Sequence, residues 1–353
     1  MSRTILITAG GTGGHVFPGL AVAETMREAG WRVVWLGAKT GLEARLVPAR
    51  GYEMAWVRAG ALRGKGLAAA LLLPLYLLIG FWQSARAILA HRPDVVLGLG
   101  GYVAFPGGMM ASLLARPLAV HEQNAIAGLT NRILARVADR VLVAFPGALK
   151  NAEWTGNPVR ADIARIPPPE DRFAGRTGPL QLLVVGGSLG AQALNEAMPK
   201  ALAQMPAQAR PRVVHQSGER HLETLRANYA AAGVEGELVA FIDDMAQRYA
   251  EADLVLCRAG AITVAELSTG GMASVLVPFP HAVDDHQTAN AAFLADRGAA
   301  ILLPQKELQP ERLAALIRGL DRPLLLEIAR KARALGKPEA ARIVAERCME
   351  LAR

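Results

Sequence analysis

Residues 5–20 read Ile5-Leu6-Ile7-Thr8-Ala9-Gly10-Gly11-Thr12-Gly13-Gly14-His15-Val16-Phe17-Pro18-Gly19-Leu20. A short apolar run gives way to four glycines in five positions, and then to the helix-like Leu20-Ala21-Val22-Ala23-Glu24-Thr25-Met26. That order spells strand, tight turn, helix. The glycines let the backbone take positive φ and approach a ligand closely, while the helix start offers unpaired N–H groups to an anion. The same grammar returns at Leu182-Leu183-Val184-Val185-Gly186-Gly187-Ser188-Leu189-Gly190-Ala191, followed by the helical Gln192-Ala193-Leu194-Asn195-Glu196-Ala197. Two phosphate-type turns in one chain predict two α/β domains, each opened by its own βα unit.

The length agrees, because 353 residues exceed the size at which one core goes on growing. With 52% hydrophobic and 20% charged residues, the chain has the composition of a folded protein and not of a disordered one. Its formal charge is +8, yet no zinc-finger, helix-turn-helix or aromatic-basic pattern accompanies it. Nucleic acid is therefore set aside as a partner, in favour of an anionic membrane surface or a phosphorylated substrate. Cys257 and Cys348 are the two cysteines, too few for a disulfide framework and consistent with a reducing compartment. The opening residues carry a five-residue apolar run ended by glycines, which is not a secretory signal, so cytoplasmic residence is expected.

Arg32-Val33-Val34-Trp35-Leu36-Gly37 reads as a second strand, but Gly37-Ala38-Lys39 stands where a dinucleotide-binding unit would place its ribose-binding acid. Val16 likewise replaces the third glycine of that fingerprint, and no Gly-x-x-x-x-Gly-Lys-Ser/Thr loop occurs. Neither common nucleotide-cofactor class fits.

The most apolar stretch runs from Leu67 to Trp82 and is bracketed by Arg58, Arg63 and Lys65 before it and Arg86 after it. It is shorter than the roughly 20 residues a spanning helix needs, and Pro74 interrupts it. A buried core helix is one reading. The flanking cations favour the other, a monotopic patch resting on anionic lipid. Strands follow at Asp94-Val95-Val96-Leu97-Gly98-Leu99-Gly100-Gly101-Tyr102, ending in a glycine turn, at Leu118-Ala119-Val120-His121-Glu122-Gln123-Asn124, ending in polar side chains, and at Arg212-Val213-Val214-His215-Gln216, Leu238-Val239-Ala240-Phe241-Ile242 and Leu254-Val255-Leu256-Cys257. Helical patterns between them predict parallel sheets. Pro158, Pro167, Pro168, Pro169 and Pro179 mark residues 157–179 as a linker, and residues 329–352 read as helix interrupted near Gly336-Lys337-Pro338.

Ligands of open α/β sheets gather at the carboxyl ends of strands, where several polar side chains fall. His15, at the first helix start, is a candidate general base; the alternative is a packing or capping histidine. His121-Glu122 begins like a zinc-protease motif, but Ala125 replaces the second histidine. Asn124 either binds a substrate hydroxyl or caps the helix that follows. Ala261-Ile262-Thr263-Val264-Ala265-Glu266 after Gly260 forms a second helix-start anion site, with Glu266 placed either to bind ribose hydroxyls or as a solvated helix charge. In His281-Ala282-Val283-Asp284-Asp285-His286-Gln287, a polar loop facing sugar hydroxyls is preferred over a metal site. Without an Asp-x-Asp, a diphosphate would be met by helix termini, glycine amides and arginines, and no metal or other cofactor is expected.

Taken together, Gly10 to Pro18, Gly100-Gly101-Tyr102-Val103, His121-Glu122-Gln123-Asn124, Thr155-Gly156-Asn157-Pro158-Val159-Arg160, Gly186 to Ala191 and Ala261 to Glu266 occur in the order found in the bacterial glycosyltransferases that make lipid II, and the chain resembles that family over nearly its whole length. The resemblance implies a GT-B fold: Rossmann-like domains at 1–157 (acceptor and membrane side) and 158–336 (donor side) facing across a cleft, and a C-terminal helix, 337–353, returning to the first. It implies inverting transfer of N-acetylglucosamine from UDP-N-acetylglucosamine to the muramyl 4-hydroxyl of lipid I, for peptidoglycan synthesis, cell shape and division. The site of work would be the cytoplasmic face of the inner membrane. Carried over by motif, Thr12, Gly13 and Gly14 would line the sugar-diphosphate and Asn124 would contact the sugar. Arg160 and Ser188 would hold nucleotide and phosphates, and the Ile242 backbone would read uracil. Residues Ala261, Ile262, Thr263, Val264, Ala265 and Glu266 would take diphosphate and ribose, and Gln287 would bind the sugar. Ala104, Ala259 and Ala265 depart from the family's usual serines, which bears on single hydroxyl contacts. A UDP-sugar 2-epimerase would not need the apolar stretch, and a non-catalytic membrane-docking protein would not need two phosphate turns.

Overall fold

The computed structural model describes residues 2–58, 66–187 and 190–352, without the side chains of 66–73 and Val283. The chain divides into two units, residues Met1–Arg160 with Pro338–Arg353, and residues Ala161–Lys337.

In the first unit the described strands are β1 (Thr4–Ala9), β2 (Arg32–Gly37), β3 (Glu53–Trp56), β4 (Val95–Gly100), β5 (Leu118–Glu122), β6 (Arg140–Val143) and β7 (Glu153–Trp154). They form one parallel sheet in the order β3-β2-β1-β4-β5-β6-β7. Its helices are α1 (Gly13–Glu28), α2 (Glu43–Leu46), α3 (Gly66–His91), α4 (Ala104–Leu113) and α5 (Leu129–Leu134). Alternation along the strands sends Ile5, Ile7, Val33, Trp35, Val95 and Leu97 to one face and Leu6, Val34, Leu36 and Val96 to the other, so both faces are apolar and both are covered. Trp35 is fully buried, its indole N–H donating to the Ala9 carbonyl at 2.9 Å. Strand order reverses between β1 and β4, which puts the turn after β1 at the switch point where such sheets bind ligands.

The second unit comprises α6 (Ala161–Ala164), α7 (Pro169–Phe173), β8 (Gln181–Val185), α8 (Gln192–Ala203), β9 (Arg212–Gln216), α9 (Leu222–Ala232), β10 (Glu237–Val239), α10 (Met245–Glu251), β11 (Leu254–Cys257), α11 (Ala261–Gly270), β12 (Ser274–Leu276), α12 (His286–Ala295), β13 (Ile301–Leu302), α13 (Pro310–Arg318) and α14 (Arg322–Leu335). Its parallel sheet runs β10-β9-β8-β11-β12-β13, with the switch at β8 and β11. One helix remains, α15 (Ala340–Leu351), and it belongs to the first unit. There it packs on α1, with Val344, Ala345 and Cys348 fully buried in the same core as Ile5 and Leu97, while Arg347 holds Glu153 through two bonds of 2.9 Å.

Two sequence expectations are corrected. The strand expected over 238–242 stops at Val239, because β10 is an edge strand whose ladder ends where Ser217 N–H donates to the Val239 carbonyl; half-exposed Phe241 has no sheet neighbour to pack on. From Ala161 on, the proline-rich 157–179 segment is folded into the second unit, with Ile163, Ile166 and Phe173 buried. Pro168 and Pro169 start a helix, Pro168 as the cap and Pro169 at the first turn of α7, and the Arg172 guanidinium ties the segment to the Gly270 and Gly271 carbonyls. The apolar stretch lies within a 26-residue helix, α3. Of its described side chains, Ser84 and Ile88 are buried while Leu75, Leu78, Trp82 and Leu89 are exposed, so from Pro74 on the helix carries an exposed apolar face. Among the described residues no helix is long and apolar enough to cross a membrane.

Candidate active site

The turn after β1 is moulded on a carboxylate that the sequence reading did not single out. Gly11, at φ +94°, donates its N–H to Glu43 Oε2 at 3.0 Å, and Ala38, just past β2, donates to Glu43 Oε1 at 3.0 Å. Glu43 is fully buried, and a Cβ on Gly10 or Gly41 would run into its carboxyl group. The acid missing from the end of β2 therefore arrives one short loop later, and it binds the glycine turn instead of a ribose. Thr12 then caps α1 with its backbone in extended conformation, its carbonyl accepting from His15 N–H at 3.2 Å, so that Gly13 and Gly14 fill the first helical turn. The turn after β4 leans on the turn after β1, since Gly101, at φ +82°, would drive any Cβ into the Gly10 carbonyl.

His15 stands between these turns and the end of β5. Its Nδ1 lies 2.8 Å from Gln123 Oε1. Gln123 is buried and reaches His121 through two further bonds. Glu122, 1% exposed, is saturated: it accepts from Asn124 N–H at 2.8 Å, Gly128 N–H at 3.1 Å, Asn131 Nδ2 at 2.9 Å and Asn124 Nδ2 at 3.3 Å. It builds the loop and is not placed to act as a base. Asn124 does not cap α5, whose start is Gly128; it turns back on Glu122.

In the second unit, Gly187 and Gly190, at φ +79° and +76°, shape the turn after β8, while Ser188 lies outside the described residues. Gln216 grips the turn from β9, accepting the Gly187 N–H at 3.3 Å and donating to its carbonyl at 3.2 Å. Behind it, buried His215 bonds Tyr229 and Asn195, and burial pushes its pKa down to about 3. After β11, Gly260 precedes α11 in extended conformation; among the described residues no side chain caps the helix, so the first-turn N–H groups at Ala261, Ile262 and Thr263 face outward. Glu266 is only 8% exposed, and the Tyr249 hydroxyl donates to its Oε2 at 3.4 Å, so it is not a solvated helix charge. Asn290 of α12 donates to the Ala259 carbonyl, and Gln287 Oε1 accepts the Phe279 N–H at 2.9 Å, which leaves its NH2 group to donate. Buried Ile242 follows β10, and half-buried Arg160 ends the first unit's main segment. Cys257 is sealed beneath α11, burial and the Glu266 charge pushing its thiol up to about 12, which makes it inert. Among the described residues no three His, Cys, Asp or Glu side chains are arranged to hold a metal ion.

Thr12, Gly13, Gly14, His15 and Asn124 thus share the carboxyl edge of one sheet, and Ile242, residues 261–266 and Gln287 that of the other. Two doubly wound parallel sheets, each with a glycine turn at its switch point, are the architecture of the GT-B glycosyltransferases. The chain matches the glycosyltransferase family 28 N-terminal domain over residues 5–143 and the C-terminal domain over residues 181–346, and it belongs to that family. It is 68% identical over 350 residues, 99% of this chain and 98% of the relative, to the UDP-N-acetylglucosamine--N-acetylmuramyl-(pentapeptide) pyrophosphoryl-undecaprenol N-acetylglucosamine transferase of Aromatoleum aromaticum. The crystal structure of Acinetobacter baumannii MurG is similar with a TM-score of 0.86 at 43% identity, covering 99% of both chains. A UDP-N-acetylglucosamine 2-epimerase, at TM-score 0.63 and 12% identity over 98% of this chain and 95% of its own, shares the fold alone.

Proposed function

We propose that the protein transfers N-acetylglucosamine from UDP-N-acetylglucosamine to the muramyl 4-hydroxyl of lipid I, giving lipid II, with inversion at the anomeric carbon. The observation that carries this reading is 68% identity, spread over both site-bearing units, to a transferase whose name states that reaction. The second unit takes the donor: the open N–H groups of α11 and the amides of the turn after β8 receive the diphosphate, Glu266 the ribose, the Ile242 backbone the uracil, and Gln287 the sugar. Arg160 and Ser188 add contacts to nucleotide and phosphate, and Thr12, Gly13, Gly14 and Asn124 meet the sugar-diphosphate and sugar. The acceptor oxygen forms a bond to the anomeric carbon as the bond to the β-phosphate oxygen breaks. UDP departs with that electron pair, stabilised by the helix terminus, and His15 takes the hydroxyl proton.

The exposed Leu75, Tyr76, Leu78, Trp82 and Leu89 of α3, with Arg58 and Arg86 beside them, rest on the anionic cytoplasmic face of the inner membrane, where the lipid-linked acceptor resides. Arg63 and Lys65, together with the side chains of the early part of the stretch, lie outside the described residues. Lipid II feeds the wall, and through it cell shape and division.

The test is purified protein with labelled UDP-N-acetylglucosamine and a lipid I analogue, with and without chelator. Label entering lipid in both arms is expected. UDP released without labelled lipid, or an epimerised donor, would overturn the assignment. For the membrane surface, Leu78→Glu should weaken flotation with phosphatidylglycerol vesicles while leaving transfer to a short-chain, water-soluble acceptor intact.

A further inference from the structure

At the carboxyl edge of the first sheet, Gly156, His121, Gln123 and His15 form one continuous hydrogen-bonded row. His121 Nε2 lies 2.9 Å from the Gly156 carbonyl oxygen, and Gln123 Nε2 lies 3.1 Å from His121 Nδ1 and 2.9 Å from the His121 carbonyl oxygen. Gln123 Oε1 closes the row on His15 Nδ1 at 2.8 Å. His121 and Gln123 are fully buried, and the row comes to the surface at half-buried His15.

The direction of every bond follows from two carbonyl oxygens, because a carbonyl only accepts. Gly156 demands a proton on His121 Nε2. Burial keeps His121 neutral, its pKa pushed down to about 4, so that proton is its only one and Nδ1 is bare. Bare Nδ1 and the His121 carbonyl then both face the same amide atom of Gln123, which must be the NH2 group. Turning the amide over would set oxygen against oxygen at 2.9 Å. Oε1 is thereby aimed at His15, and because it too only accepts, His15 Nδ1 must hold a proton.

We propose that His121 and Gln123 are positioning residues that hold neutral His15 as its Nδ1–H tautomer, so that Nε2 is the atom that takes the proton of the acceptor hydroxyl. The proposal rests on the reading of His15 as the base. Left to itself in water, a neutral imidazole prefers its proton on Nε2, which would block that atom. Which ring nitrogen is bare is set by the bond the other one makes, and here that bond is dictated by main-chain carbonyls two side chains away. An amide orients the ring without the negative charge that a carboxylate partner brings in a Ser-His-Asp triad.

The test uses the full-length protein labelled with 15N-histidine, at a pH where His15 is neutral, its signals assigned by their loss in His15→Ala. Long-range proton–nitrogen correlation should show a protonated Nδ1 and a bare Nε2. Gln123→Leu should return the ring to the Nε2–H form and lower kcat roughly ten- to a hundredfold, within what a general base supplies. KM for UDP-N-acetylglucosamine should stay within about twofold, because neither Gln123 nor His15 is among the residues assigned to hold the donor. A wild-type ring protonated on Nε2 overturns the proposal, and this measurement stands even if Gln123→Leu fails to fold. A Gln123→Leu enzyme with kcat within about twofold of wild type also overturns it. Undiminished transfer by His15→Ala instead overturns the base assignment itself, whatever tautomer the spectrum shows, so the two failures are distinguishable.

Discussion

Glu43→Gln should loosen the first glycine turn by an amount the geometry sets. Each carboxylate oxygen of Glu43 receives one main-chain N–H at 3.0 Å, from Gly11 and from Ala38. Glutamine keeps the volume but can accept only one of the two, because its NH2 group must face the other N–H. One buried donor is left without a partner, at a cost of about 1–3 kcal/mol, and the surviving bond loses its charge assistance, a further loss of about 1 kcal/mol. Gly10 and Gly41 lie so close to the carboxyl group that a Cβ on either would meet it. A total near 3 kcal/mol, at about 2–4 °C per kcal/mol for a unit of this size, predicts a fall of about 6–12 °C in the melting temperature of the first unit. Differential scanning calorimetry would read it. Glu53→Gln, at an ion pair with Arg32 whose side chains are each 45% exposed, serves as the control and should shift stability by less than about 1 kcal/mol. A Glu43→Gln melting temperature within about 2 °C of wild type would refute the view that this carboxylate shapes the turn.

Neutral burial of His121 and His215, with pKa values near 4 and 3, means that the unfolded chain takes up protons the folded chain refuses. Stability should therefore fall as pH drops below about 6.5, by up to about 1.4 kcal/mol per pH unit for each histidine, and urea titrations at pH 6.5 and 5.5 that coincide would contradict this. The hydrogen bond from Arg347 holds Glu153 below the usual carboxylate range, so its stabilisation is present above pH about 4.5 and lost as pH falls through the lowered value. Arg347→Gln and wild type should thus differ by no more than about 1 kcal/mol at neutral pH and converge in acid. Gly190→Ala would force a Cβ into the Ser217 carbonyl at a left-handed φ, and should weaken UDP binding by roughly tenfold or more in isothermal titration. Unchanged affinity would mean that the turn after β8 does not hold the nucleotide.

The sheets and glycine turns were legible because their signals are local: an apolar run buried on both faces, then residues that admit positive φ. Residues 32–37 and 212–216 coincide with β2 and β9 for that reason. Glu43 was not legible, since it belongs to a four-residue helix in a stretch without apolar period, and its partner Gly11 is 32 positions away. The row from Gly156 to His15 joins side chains brought together by the order of β1, β4 and β5, which motifs do not encode. Residues 157–179 misled because proline marks both a stiff linker and the first turn of a helix, and only the burial of Ile163 and Phe173 separates the two.

The place of α15 has a consequence for synthesis. A ribosome delivers β1 more than three hundred residues ahead of Val344, Ala345 and Cys348, which belong to the core around it. The second unit is one uninterrupted segment and has all its strands well before that, so it can close while the older half of the chain still exposes the apolar side of α1. The half made first is the half finished last. A stop codon ahead of Ala340 would therefore spare the donor-side unit and unseat the N-terminal one, whose core would lose Val344, Ala345 and Cys348.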